Sequence, residues 1–265
     1  MKQESEILFA EIEGEGKETI VFLPGILSSI RFWEPVKTLL KKNYTTVVFD
    51  LLGFGQSPKP DDCSYTLDEH ASALFSSVKK YKLSTPVILV GHSMGALIAL
   101  HFAAKHPTLV KKLVLVSPPI YPTKQLANRF IQSNSFWGMT TKVPIITQIS
   151  CYILCRYTKP FTRLWLPLFH PKAPKALIQD SLNHTWHSVS KSLINILQNQ
   201  GEQAEKDIKE LKIPLRIVYG LDDTRMDIDS LEKLIRDYAI SVTAIPHAGH
   251  TLPFTHPEII ASTLT

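Results

Sequence analysis

The chain has 265 residues, 44% of them apolar and 20% charged, with a net charge of +5. This is ordinary globular composition and excludes a disordered, collagenous or coiled-coil protein. The length suits one α/β domain with an insertion. The positive excess is small and contains no long basic block, so no nucleic-acid partner is expected. Lys41-Lys42, Lys79-Lys80 and Lys111-Lys112 read as solvated surface at element ends, with attraction to an anionic membrane or acidic carrier protein a minor second reading. Cys63, Cys151 and Cys155 make no disulfide framework. Cys151 and Cys155, four residues apart, fit one helical face as small apolar filler rather than as a redox pair or metal site. The polar stretch from Met1 to Glu6 lacks the apolar core of a signal peptide, and no apolar run reaches the length of a membrane span. A cytoplasmic protein is expected.

Along the chain, Thr19 to Leu23, Thr45 to Asp50, Pro86 to Gly91 and Lys112 to Ser117 are short apolar runs rich in β-branched residues. Continuous rather than alternating apolar character predicts parallel strands covered on both faces. Between them, Ile30 to Lys42, Leu67 to Tyr81 and Met94 to His106 carry apolar residues at helical spacing. This alternation predicts βαβ units. From Pro118 to Glu210 the rhythm breaks into proline-rich, aromatic-rich pieces with no clear strand, which predicts an insert of short helices. It resumes with a strand at Pro214 to Tyr219, a helix near Leu231 to Tyr238 and a strand at Ser241 to Ile245. The expected organisation is a core of residues 1–117 and 211–265 with a helical cap at 118–210.

The sharpest motif is Gly91-His92-Ser93-Met94-Gly95, which fits G-x-S-x-G between a predicted strand and a predicted helix. In that setting the serine sits on a strained turn with its hydroxyl pushed out at the sheet's carboxyl edge, and larger flanking residues would collide with backbone. The helix N-terminus offers N–H groups to a developing oxyanion. A serine hydroxyl needs a base, and His250 follows the last predicted strand beside Ala248 and Gly249. His247 reads as a loop residue, His101 and His106 as ordinary helix residues, and His184 and His187 as an exposed helix face. The base in turn needs a carboxylate. Ser117-Pro118-Pro119-Ile120-Tyr121 offers none, whereas Gly220-Leu221-Asp222-Asp223 offers two, one to orient His250 and one for the turn.

These motifs, together with Leu23-Pro24-Gly25-Ile26 and Asp50 to Ser57 (DLLGFGQS), make the chain resemble the α/β-hydrolases, in particular the small lidded branch containing many carboxylesterases. The resemblance implies a mostly parallel sheet with helices on both faces and a helical lid, and it favours Asp223 over Asp222 as the acid. It implies an oxyanion hole of the backbone N–H groups of Ile26 and Met94. Many relatives carry histidine where Pro24 stands, a change that leaves the Ile26 donor in place. Relatives with an aspartate nucleophile are disfavoured by Ser93, and carbon–carbon bond hydrolases by Thr251 after His250.

The expected reaction is hydrolysis of a small-molecule carboxylic ester, with no metal or organic cofactor. Acyl transfer or perhydrolysis with the same three residues, and a ligand receptor retaining the fold, are the alternatives. Apolar residues of the insert, among them Phe136, Trp137, Ile145-Ile146, Tyr152-Ile153-Leu154, Phe161, Leu164-Trp165-Leu166 and Leu168-Phe169, are expected to pack the insert on the core. A second reading places some of them, Trp137 and Trp165 first, around an apolar pocket.

Overall fold

The computed structural model describes residues 6–133, 144–153, 158–165, 168, 175–199 and 202–265. Its seven strands are β1 (Ala10–Glu13), β2 (Thr19–Leu23), β3 (Thr45–Phe49), β4 (Val87–His92), β5 (Val110–Val116), β6 (Leu215–Gly220) and β7 (Ser241–Ile245). They form one sheet in the order β1-β3-β2-β4-β5-β6-β7. All neighbouring pairs are parallel except β1 with β3. Each predicted apolar run is a strand to within two residues. All five residues of β2 are buried, because alternate side chains enter cores on opposite faces. Val21 and Leu23 pack with Leu74 and Leu97, while Ile20 and Phe22 pack with Trp33 and Val36. Burying each such side chain is worth about 1.5–3 kcal/mol, which makes continuous apolar character the signature of an inner strand.

β1 was not expected. Its sequence, Ala-Glu-Ile-Glu, has no strong strand signal and depends on its partners. It pairs antiparallel with β3, from Ala10 opposite Phe49 to Glu13 opposite Thr46. Lys37, its side chain wholly buried, reaches Glu11, Glu13 (3.0 Å) and Glu34 (2.8 Å). The edge strand is therefore held by a lysine from the following helix.

The helix expected at Ile30 to Lys42 is a 3-10 turn (Ile30–Trp33) running into α1 (Glu34–Leu40). α2 (Leu67–Lys80) begins with a capping box: Thr66 Oγ1 accepts from the Glu69 N–H at 3.2 Å, and the Glu69 carboxylate accepts from the Thr66 N–H at 2.9 Å. α3 (Met94–Lys105) is buried nearly all round, between the sheet on one side and α2 and the helix Gln203–Glu210 on the other.

Two histidine readings change here. His101 is no ordinary helix residue: it is buried, with Nδ1 2.9 Å from Asp207 Oδ2 and Nε2 2.9 Å from Asp68 Oδ1. Burial opposes its charge, but the bonds to Asp207 and Asp68 prevail and raise its pKa. The ring thus ties α3 to two flanking helices. His184 lies not on an exposed helix face but half-buried ahead of the helix Trp186–Ser192, donating from Nδ1 to the Ser181 carbonyl at 2.7 Å. His187 is exposed. Among the described residues, the region between β5 and β6 contains short helices, including Lys124–Ser133, Pro144–Tyr152, Lys159–Trp165 and Trp186–Ser192, and a π-helical turn Leu193–Gln198. After β7, Leu252–Thr255 and Pro257–Ser262 form two further short helices that pack against α1.

Candidate active site

Parallel strands deliver their following loops to one edge of the sheet, where α/β proteins bind ligands. Ser93, between β4 and α3, has φ +53° and ψ −123°. L-residues occupy that region only where surrounding structure enforces it. The enforcement is steric: a Cβ on Gly91 would lie 2.3 Å from the Gly95 carbonyl oxygen, and one on Gly95 would lie 2.3 Å from the Pro24 oxygen. The Ser93 N–H donates to the Val116 carbonyl at 3.0 Å, tying the turn to β5.

The loops after β6 and β7 are zipped together. The Leu221 N–H donates to Ile245 and the Asp222 N–H to Ala248, both at 3.0 Å. A Cβ on Gly220 would lie 2.1 Å from the Ala248 oxygen. Of the two aspartates, the structure brings Asp223 to His250. Asp223 is buried, with Oδ1 accepting from the Arg225 N–H at 2.9 Å and Oδ2 2.8 Å from His250 Nδ1. A carboxylate only accepts, so the bond places the His250 proton on Nδ1 and leaves Nε2 a lone pair. Asp222 is exposed, 3.9 Å from an exposed His247.

Ser93, His250 and Ile26 line one pocket with Pro119, Tyr121 and Arg225. Its apolar wall is Phe130, Ile131, Leu193 and Leu197. The loop carrying Ile26 passes close to the serine: a Cβ on Gly25 would meet Ser93 Cβ at 3.2 Å. Asp50 secures the chain that follows, its buried carboxylate accepting from the Ile30 N–H (2.8 Å) and the Gln56 N–H (2.7 Å). Burial raises the Asp50 pKa against those two bonds. Ser29 adds a hydroxyl bond to Asp180 at 2.7 Å.

Several residues of the site went unread in the sequence. His92 is wholly enclosed. Its Nε2–H donates to the His250 carbonyl at 2.8 Å, and its ring lies 4.8 Å from the His250 ring. Burial holds its pKa well below that of a free imidazole, so it is a neutral strut. Tyr121 donates to the Arg225 carbonyl at 2.6 Å, fixing the loop behind Asp223. G-x-S-x-G signals neither residue's bonding. The lining leucines and Phe130 could have been found only by telling the inner from the outer face of insert helices.

The insert expectation also changes. Ile145, Phe161, Leu164 and Leu168 are 71%, 71%, 79% and 74% exposed. They neither pack on the core nor line the pocket. Phe136, Trp137, Leu154, Cys155, Leu166 and Phe169 lie outside the described residues, and Trp165 ends the helix Lys159–Trp165.

A mostly parallel sheet whose loops after β4, β6 and β7 converge on one pocket defines an α/β protein with its site at the carboxyl edge. The family model for the alpha/beta hydrolase fold matches residues 18–257, and the chain belongs to that family. It is 32% identical over 209 residues to "Probable lysophospholipase BODYGUARD 4" of Arabidopsis thaliana, covering 74% of this chain and 50% of that one. The chain thus spans about half the length of this relative, and 45% of "Probable lysophospholipase BODYGUARD 1" of the same plant. The "Uncharacterized hydrolase YugF" of Bacillus subtilis is 24% identical over 270 residues, covering 96% of this chain and 91% of its own. Among solved structures, E-2-(acetamidomethylene)succinate hydrolase superposes with a TM-score of 0.75 at 20% identity, covering 97% of this chain and 93% of that one. The esterase EaEST of Exiguobacterium antarcticum gives 0.73 at 21%, with the same coverage. The chain thus has the alpha/beta hydrolase fold, which the solved structures share, and its relatives in sequence include proteins named as probable lysophospholipases.

Proposed function

We propose that the protein is a serine esterase, of carboxylesterase type, in which Ser93 is the nucleophile, His250 the general base and Asp223 the acid that orients it. The observation that carries this reading is the bond from His250 Nδ1 to the buried Asp223, with His250 and Ser93 in one pocket. Ser93 Oγ attacks the ester carbonyl carbon while His250 Nε2 takes the hydroxyl proton. The N–H groups of Ile26 and Met94 hold the oxyanion. Collapse breaks the bond to the alcohol, which leaves with the proton from His250, and the acyl group stays on Ser93. Water then attacks the acyl carbon, giving one proton to His250; collapse releases the acid and returns that proton to Ser93 Oγ. Nothing in this sequence of steps needs a metal or organic cofactor. Residues 118–210 act as the cap over the core of 1–117 and 211–265. The apolar wall from Phe130 to Leu197 suits a small to medium acyl or aromatic group, and the lysophospholipase-named relatives fit an acyl ester.

The test is turnover of p-nitrophenyl esters from acetate to decanoate beside Ser93→Ala. Hydrolysis that vanishes in the variant, with stoichiometric fluorophosphonate labelling of the wild type at Ser93, is the expected result. Absence of both turnover and labelling would overturn the reading.

A further inference from the structure

Two helices between β5 and β6, Pro144–Tyr152 and Lys159–Trp165, turn large apolar side chains outward. In a helix that packs for its own core the apolar stripe faces inward. In the helix Pro144–Tyr152, Ile145 and Ile149 are exposed, as is Ile153 just beyond its end; their spacing of four puts them on one face. Cys151 is turned inward, its sulfur 3.4 Å from His184 Nε2, where this helix meets Trp186–Ser192. In Lys159–Trp165 the small polar Thr162 is buried, while Phe161 and Leu164 stand in solvent. Leu168 continues the exposed apolar surface along the chain. Six large apolar side chains exposed within 24 residues of sequence are more than the single scattered ones of an ordinary surface and point to an interaction surface.

Charge identifies what covers it. From Pro118 to Gln179 the sequence has eight lysines and arginines and no aspartate or glutamate. The rest of the chain holds the other 21 of 29 basic residues and all 24 acidic ones, so it is net negative while this segment is strongly positive. Exposed Ile, Phe and Leu on short helices within an acid-free, basic segment fit an interfacial helix pair, apolar side chains entering the acyl boundary and basic ones meeting anionic headgroups. A second protein surface would have to be both apolar and uniformly acidic to match it.

We propose that the insert docks on the surface of an anionic lipid bilayer through Ile145, Ile149, Ile153, Phe161, Leu164 and Leu168. Each Lys or Arg held near such a surface is worth about fivefold in partitioning. The surface acts whatever reaction Ser93 performs, so the inference stands apart from the esterase reading.

Flotation of the whole protein with phosphatidylcholine vesicles containing one third phosphatidylglycerol tests it. The protein should float with these vesicles at low salt, stay behind with pure phosphatidylcholine, and be released as salt rises. Ile149→Glu with Leu164→Glu should reduce the bound fraction at least tenfold, roughly the loss expected for two apolar anchors. Melting temperature and turnover of a soluble short-chain ester should not move, because both side chains are exposed. Ile145→Asn with Phe161→Asn supplies a second pair should the first not fold. Ser93→Ala should float like wild type, which separates docking from catalysis. No flotation with anionic vesicles, flotation that both pairs leave intact, or a dimer in sedimentation velocity that the substitutions dissolve would overturn the proposal.

Discussion

Gly95→Ala tests the link between packing and chemistry at the site. Gly95 lies in the first turn of α3 with ordinary backbone angles, so alanine brings no conformational strain and gains about 0.5–1 kcal/mol of helix propensity. The penalty is steric. The new Cβ would lie 2.3 Å from the Pro24 oxygen and 2.6 Å from the Leu23 oxygen, whereas ordinary contact begins near 3.4 Å. Both obstacles are backbone, so the end of β2 must retreat by about 1 Å. That movement carries the Ile26 N–H away from the Met94 N–H, widening the proposed oxyanion site. Overpacking costs about 1–3 kcal/mol, leaving a net destabilisation of up to about 2.5 kcal/mol after the propensity gain. Loss of one oxyanion donor costs about 10²–10³ in kcat. The prediction is a folded variant with a modestly lower Tm and a fall in kcat of about a hundredfold on p-nitrophenyl butyrate. Gly249→Ala is the control: it stands beside His250, yet nothing lies within 4 Å of its added Cβ, so neither quantity should change. A Gly95→Ala variant with a lowered Tm and kcat within twofold of wild type would refute the assignment of the Pro24–Ile26 loop to oxyanion binding.

Asp223→Asn should lower kcat by about 10³–10⁴, as loss of the orienting carboxylate does in other serine hydrolases, with Asp222→Asn nearly silent; equal effects in steady-state assays would put the acid assignment in error. His101 gives a pH signature. Its raised native pKa means that its stabilisation is complete below an unfolded value of about 6.5 and is lost as pH rises through the native value. The stability gap between wild type and His101→Gln, measured by urea unfolding, should therefore narrow from pH 6 to pH 9 from a maximum of about 1.5–3 kcal/mol. A gap independent of pH would mean that the ring stays neutral. Lys37→Met should cost about 2 kcal/mol, below the 3–5 of a wholly buried pair because its three glutamates stay partly exposed. It should leave kcat unchanged, and altered catalysis would show that β1 and α1 influence the site.

Which parts of the molecule could be read in advance follows from where each kind of information resides. Six of the seven strands were legible because inner strands must be apolar on both faces, and Thr-Ile-Val-Phe-Leu admits few other readings. β1 was not, since Glu11 and Glu13 become strand residues only when Lys37 arrives from a helix more than twenty positions along the chain. The turn at Ser93 was legible because its geometry is a backbone requirement written in Gly91 and Gly95. The residues by themselves leave Asp222 and Asp223 level, and only the family resemblance favours Asp223. Both follow the same strand, and only the zipped loops after β6 and β7 decide which side chain is buried against His250.

His101 and His92 show a different limit. Each occupies a helix or strand position where histidine means little, and each acquires its role from a partner about a hundred residues or more away: Asp207 for one, the His250 carbonyl for the other. The insert shows a third. Its helices carry apolar residues on inner and outer faces alike, so periodicity cannot say which face is the core. Phe130, Leu193 and Leu197 face the pocket while Phe161 and Leu164 face water. What the sequence does carry is a charge pattern, the absence of any carboxylate from Pro118 to Gln179, a segment that holds Phe130 as well as Phe161 and Leu164. Opposite charges are ordinarily interspersed on a solvated surface. An apolar, one-signed segment departs from that rule on both counts, and a surface meant to meet anionic lipid requires both departures together.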